Sequence, residues 1–132
     1  MVDDDALLCR VVERVLETEG FEVLVANDGF GALATLADRH VDLVLLDIRM
    51  PGLDGLRVLE MITLKNGGPP VVMMTGHAHV DSAQKAKLMG ARDYIGKPFG
   101  MDEIRRAVSE ALRLPRRPRL RESERASCEG LS

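Results

Sequence analysis

The chain has 132 residues, 45% of them hydrophobic and 30% charged, with a formal net charge of −3. That describes a soluble globular domain with room for a core, and it excludes a general electrostatic attraction to nucleic acid. No apolar run approaches the roughly 20 residues of a membrane span. The acids at positions 3–5 are unlike a secretory leader, and Cys9 and Cys128 lie too far apart for metal-ligand spacing, so the expected location is a reducing cytoplasm.

Met1 and Val2 are the only apolar residues before "DDD" at 3–5. Asp5 is placed to cap a helix beginning at Ala6, in which Leu8, Val11, Val12, Val15 and Leu16 recur at helical spacing until Gly20 ends it. "FEVLVA" at 21–26 is a short β-type run, "NDG" a turn, and 30–37 a second helix. "VDLVLLD" at 41–47 is almost wholly apolar, which is how a strand covered on both faces reads. After a Pro-Gly loop, 55–65 alternates with helical period, with Asp54 a turn or cap residue before it. "NGGPP" at 66–70 breaks the chain, and "VVMMT" at 71–75 is the next strand. A helix follows over 80–89, then "DYIG" at 93–96 as a minimal strand, then an amphipathic helix over 101–114. Residues 115–132, with five Arg and three Glu and no apolar periodicity, read as a disordered tail beyond a domain of residues 1–114.

Strands alternating with helices predict right-handed crossovers and a parallel sheet. Ligands of such sheets sit beyond the carboxyl ends of the strands. Those ends present Asp3 and Asp4, Asp47, Thr75 and, just after the last strand, Lys97. Three crowded carboxylates raise one another's pKa unless a cation joins them, and an all-oxygen ligand set favours Mg²⁺, with Mn²⁺ the second choice. A phosphoryl group brought to that metal would also meet the Lys97 ammonium and the Thr75 hydroxyl, which is the electrostatic clamp phosphoryl transfer needs. Asp47 is then free to act as nucleophile and form an aspartyl phosphate.

"VDDD", "LLDIRMPGLDG", "MMTGHA" and "DYIGKPF", in that order and each at a strand end, resemble the receiver domain of response regulators, the CheY-like family. The resemblance covers residue 1 to about residue 114. It implies a doubly wound (βα)5 flavodoxin-like fold with strand order 2-1-3-4-5. It makes Asp47 the phosphoacceptor, and Asp3 and Asp4 the acidic pair at Mg²⁺, with Asp4 the direct ligand and Asp3 acting through water. It adds the Arg49 backbone carbonyl to the metal's ligands. Thr75 becomes the switch hydroxyl, Lys97 the phosphoryl-binding lysine and Tyr94 the aromatic that turns inward on phosphorylation. Arg49 and His77 would tune the phosphoryl lifetime, and Pro98 would follow a cis peptide. The implied partners are a sensor histidine kinase or phosphotransfer protein and a downstream protein at the face of the fourth helix, fifth strand and last helix. Homodimerisation through that same face is also implied, with no membrane and no direct nucleic-acid contact.

The first strand is truncated relative to that pattern, having only Met1 and Val2 before the acids. A start upstream is the favoured reading; a stub strand that still pairs and a degenerate receiver are the alternatives. Competing functions are a Mg²⁺-dependent phosphatase of the haloacid-dehalogenase kind, a flavodoxin-like cofactor binder, and an interaction module that works without phosphorylation. The first wants a second Asp where Arg49 stands, and the second wants a phosphate-cradling loop where "DDD" stands.

Overall fold

The computed structural model describes residues 1–64, 68–76 and 80–113. The expectations for His77 and for the tail at 115–132 lie outside these residues. Among the described residues the element order is α1 (Ala6–Thr18), α2 (Gly29–Asp38), β1 (Val44–Asp47), α3 (Gly55–Thr63), β2 (Val71–Thr75), α4 (Val80–Leu88), β3 (Asp93–Gly96) and α5 (Met101–Arg113). The expected caps at Asp5 and Asp54 are present, accepting from the Leu8 N–H at 3.1 Å and the Arg57 N–H at 3.0 Å, and Asp28 in the "NDG" turn also caps α2, accepting from the Gly31 N–H at 2.7 Å.

The sheet is parallel. β1 pairs with β2 from Val44↔Val71 to Asp47↔Met74, and β2 with β3 from Val72↔Asp93 to Thr75↔Gly96. Beyond β1 the sheet narrows to single bridges, Val2↔Leu46 and Val2↔Ala26. The spatial sequence is therefore Ala26, Val2, β1, β2, β3, which is the order 2-1-3-4-5 with the first two members reduced to one residue each.

The truncated first strand is present as single bridges at Val2, and two other strand expectations shorten for identifiable reasons. The 21–26 run pairs only at Ala26, because a parallel ladder needs a neighbour of matching length and Val2 supplies one position. The expected 41–47 strand begins its ladder at Val44, whose N–H bonds the Pro70 carbonyl. Pro69 and Pro70 have no N–H to carry that ladder further back.

Alternate residues of the buried strands feed two separate cores. Val44, Leu46, Val71 and Met73 pack with Ala32 of α2, Val58, Leu59 and Ile62 of α3, and Ala86 of α4. Leu45, Val72 and Met74 pack on the other face with Val12 and Leu16 of α1 and Ile104, Ala107 and Val108 of α5. Burial on both faces is what the continuous apolar runs signalled, and it leaves the carboxyl edge of the sheet as the place where polar side chains emerge.

Candidate functional site

Three side chains reach that edge from neighbouring strands. Asp47 ends β1 and Thr75 ends β2, both buried, and Lys97 follows β3. The Val2↔Leu46 register sets Asp3 beside Asp47. The backbone holds it there: Val2 N–H donates to Leu45 O at 2.7 Å, Asp47 N–H to Val2 O at 2.9 Å and Asp3 N–H to Ala26 O at 3.1 Å. Even a one-residue bridge thus fixes both sides of the acidic segment.

Oxygens of Asp3, Asp4 and Asp47 lie within 4.8 Å of one another, with Asp3 and Asp47 buried and Asp4 exposed. Lys97 Nζ donates to Asp3 Oδ2 at 2.5 Å and stands 3.4 Å from Asp47 Oδ2. Asp3 Oδ1 also accepts from the Asp5 N–H at 3.0 Å, and Asp47 Oδ1 from the Arg49 N–H at 3.3 Å. One ammonium therefore serves two buried carboxylates, and the cluster carries a net negative charge.

The imbalance is visible in the pKa values. Burial and the Asp3 charge push Asp47 up to about 6, against the opposing pull of Lys97 and the Arg49 N–H. Burial by itself would lower Lys97, but the Asp3 hydrogen bond and the charges of Asp47 and Asp3 outweigh it and raise the lysine. A divalent cation on the exposed side, at Asp4, would relieve this excess. An all-carboxylate donor set of this kind suits Mg²⁺, which binds through one or two carboxylates and keeps several waters.

The loop after Asp47 is shaped by close approach. The Gly55 N–H donates to Ile48 O at 2.8 Å, and a Cβ on Gly55 would stand 1.9 Å from the Asp47 carbonyl oxygen. Only glycine fits there, so α3 starts directly against the strand end that carries Asp47. Gly52 takes φ +82° and turns the chain. Met50 is buried, whereas Arg49 is exposed with its N–H on Asp47.

On the far side of the site, Thr75 is buried and its carbonyl accepts the Lys97 N–H at 2.6 Å. The Lys97–Pro98 peptide is cis. Tyr94 stands outward from β3, 40% exposed, with Lys87 Nζ 5.5 Å from its ring centroid. The edge thus gathers Asp3, Asp4, Asp47, Thr75 and Lys97, while Tyr94 lies on the outer flank of the sheet.

Sequence reasoning missed two features. It did not anticipate that Asp3 holds Lys97 across 94 positions, a pairing no local pattern encodes. It read Gly55 only as a helix start, although "DG" after a strand-end Asp could have suggested a close backbone approach.

Comparison with known proteins agrees with this geometry. The sequence model of a family described as "Response regulator receiver domain" matches residues 1–109. Regulatory protein AtoC of Escherichia coli (strain K12) is 41% identical over 114 residues, covering 86% of this chain and 25% of that protein. The nitrogen assimilation regulatory protein NtrX of Azorhizobium caulinodans is 40% identical over 124 residues, 90% of this chain and 27% of its own length. The crystal structure of the receiver domain of NtrX from Brucella abortus superposes with a TM-score of 0.82 at 39% identity, over 86% of this chain and 97% of that one. The chain spans about a quarter of the length of the curated relatives it matches.

Proposed function

The chain belongs to the response regulator receiver domain family, the phosphorylation-based signalling domains of two-component systems, and from that premise we propose that Asp47 accepts a phosphoryl group and so switches the partner face of the domain. The observation that carries this reading is the cluster itself: Asp47 buried at a strand end, flanked by Asp3 and Asp4, with Lys97 bridging Asp3 and Asp47.

The chemistry follows from the groups present. The donor is a phosphohistidine on a sensor kinase or phosphotransfer protein. An Asp47 carboxylate oxygen attacks phosphorus, the P–N bond breaks, and the imidazole leaves with the bonding pair. Asp3, Asp4, Asp47 and the Arg49 carbonyl are the groups that would hold Mg²⁺, which when bound would supply charge neutralisation toward the phosphoryl oxygens. Lys97 offers its ammonium to a second oxygen and Thr75 its hydroxyl to a third. Lys97 already stands 3.4 Å from Asp47 Oδ2, and Thr75 ends the neighbouring strand. Arg49, through its side chain, tunes access of water to the product, and His77 is assigned the same task.

The consequence is a two-state shift. The new dianionic group draws Thr75, and Tyr94, now outward against Lys87, moves in behind it. The face of α4, β3 and α5 then changes its protein partner or pairs with a second copy. The domain promotes its own phosphorylation and dephosphorylation without being a turnover enzyme. The residue two after Asp47 is Arg49, not a second carboxylate, which weighs against steady phosphatase chemistry. With a net charge of −3, the proposed output contact is with protein, not nucleic acid. No helix among the described residues is long and apolar enough to cross a membrane.

The test is intact-protein mass after incubation with acetyl phosphate, with and without Mg²⁺, on the native chain and Asp47→Asn. One Mg²⁺-dependent adduct of a single phosphoryl group, absent in the variant, is expected. No adduct under any condition would refute the reading in favour of a phosphorylation-independent interaction module.

A further inference from the structure

Asp4 is the exposed member of the acidic cluster, and the groups that aim it lie behind it. Asp3, directly before it, is fully buried, and its polar atoms are bonded one by one. Its N–H donates to Ala26 O at 3.1 Å, Oδ1 accepts from the Asp5 N–H at 3.0 Å, and Oδ2 accepts from the Lys97 ammonium. That leaves the Asp3 carbonyl, which no backbone N–H among the described residues reaches. Its donor is the thiol of Cys9, with Sγ 3.5 Å from the oxygen, a length set by the larger radius of sulfur.

Cys9 is free and buried, yet it stands in neither of the two apolar cores. Its own N–H bonds Asp5 O at 3.0 Å, which fixes its place in the first turn of α1. A thiol is protonated at neutral pH, and burial together with the Asp3 charge pushes it further that way, so it serves as the donor. The peptide joining Asp3 to Asp4 is a rigid plane, and the thiol holds that plane by its carbonyl. The next plane, between Asp4 and Asp5, is held by the Asp5 N–H on Asp3 Oδ1. With both flanking planes fixed, the backbone of Asp4 is set, and an exposed carboxylate leaves it in one direction.

We propose that Cys9 is a positioning residue for the divalent cation: its thiol holds the Asp3–Asp4 peptide and thereby aims the Asp4 carboxylate at the space shared with Asp3 and Asp47. This rests on the metal reading above and adds to it a group that never touches the metal. Without the thiol, the Asp3 carbonyl becomes a buried acceptor with no donor. Rotating the peptide toward water relieves that cost, and the rotation carries Asp4 away from Asp47. Cation binding must then reverse the rotation, so affinity falls. A side chain of similar size that can donate keeps the plane in place, and one that cannot releases it.

The experiment compares the native chain with Cys9→Ser, which keeps a donor, and with Cys9→Ala and Cys9→Val, which do not. Val12→Ala, in the same helix but in the apolar core, is the control for stability. The readouts are Mg²⁺ titration by calorimetry, thermal melting, and the NMR shifts of the Asp3 carbonyl carbon and the Asp4 amide nitrogen. Cys9→Ala and Cys9→Val are expected to move both shifts and to weaken Mg²⁺ binding at least about threefold, the change that part of one hydrogen bond's net contribution gives. Cys9→Ser should stay within about twofold of the native affinity. Val12→Ala loses core methyl groups and should melt lowest of the set, with native affinity. Native affinity in both Cys9→Ala and Cys9→Val would overturn the assignment. So would an equal loss in Val12→Ala, which would trace the effect to helix stability. A loss in Cys9→Ser as large as in Cys9→Ala would overturn the hydrogen bond as its cause. No Mg²⁺ binding by the native chain would overturn the metal reading and this assignment together, whereas native affinity throughout overturns this assignment alone.

Discussion

The two halves of the sheet are built to different standards. From β1 to β3, each strand is locked to the next over four residue pairs. From β1 outward, one bridge joins Leu46 to Val2 and one joins Val2 to Ala26. The candidate site straddles this divide. Asp47, Thr75 and Lys97 stand on the firm half, and Asp3 and Asp4 on the sparse one. The proposed nucleophile and phosphoryl clamp therefore inherit the rigidity of the ladder, whereas the acidic pair Asp3 and Asp4 depends on a few backbone bonds and on Lys97. Stability and metal affinity should respond to different mutations.

The largest effect is expected on the firm half. Gly55→Ala would place a methyl group 1.9 Å from the Asp47 carbonyl oxygen, against backbone that cannot yield cheaply. A loss of about 3–4 kcal/mol is expected in urea denaturation, in the range of severe packing errors. Phosphorylation by acetyl phosphate should fall with it, because the strand end that bears Asp47 is what moves. A variant as stable as the native chain would show that the end of β1 is softer than its ladder suggests.

Next comes the group that ties the halves together. Lys97→Met strands Asp3, which is fully buried, without its cation. Breaking a buried pair from one side typically costs about 3–5 kcal/mol. Lys97 is 20% exposed, so about 2–3 kcal/mol is the expected loss at pH 7. The loss should shrink at low pH as the carboxylates protonate, and added Mg²⁺ should recover part of it. A loss independent of both pH and Mg²⁺ would assign Lys97 to packing alone.

What was legible in the sequence divides along the same line. The firm half could be read because its signals are local: apolar runs such as 71–75 end in the polar residues that form the site, and Asp5 and Asp54 cap the helices that follow. The sparse half could not. "FEVLVA" has β propensity, but pairing is decided by the partner, and Val2 offers a single position. The Lys97–Asp3 contact joins the two ends of the domain and leaves no mark on either neighbourhood. The acids could be placed at a strand end by pattern, but which of them holds the lysine could not.

The pH dependence of stability sharpens the electrostatic side of the comparison. Asp47 titrates near 6 in the fold against an ordinary 3.8, so between these values the folded chain binds more protons than the unfolded one. Stability contributed by the protonated carboxyl is therefore complete below about pH 4 and is lost as pH rises to about 6. Asp47→Asn removes that slope. The raised value is already net of the attraction to Lys97, so the variant should be about 2 kcal/mol more stable than the native chain at pH 7.5 without divalent cations. Millimolar Mg²⁺ should narrow or reverse the gap by stabilising only the native chain. Parallel pH profiles for the two proteins would mean that Asp47 carries no excess charge to relieve.

The smallest effect discriminates best between the halves. Asp5 and Asp54 are matched caps: each is exposed and accepts from the backbone three residues on, at 3.1 and 3.0 Å. Asp5→Ala and Asp54→Ala should each cost about 1 kcal/mol, the usual value of an N-cap. Their effects on Mg²⁺ should differ. α1 begins directly after Asp3 and Asp4, so fraying its first turn loosens residues that hold few other bonds, and Asp5→Ala should weaken Mg²⁺ binding several-fold. α3 begins beyond the Pro-Gly loop, against a strand fixed by its ladder, and Asp54→Ala should leave the affinity unchanged. Equal affinities in the two variants, at equal loss of stability, would mean that the bridges at Val2 already hold the acidic pair as firmly as the ladder holds Asp47.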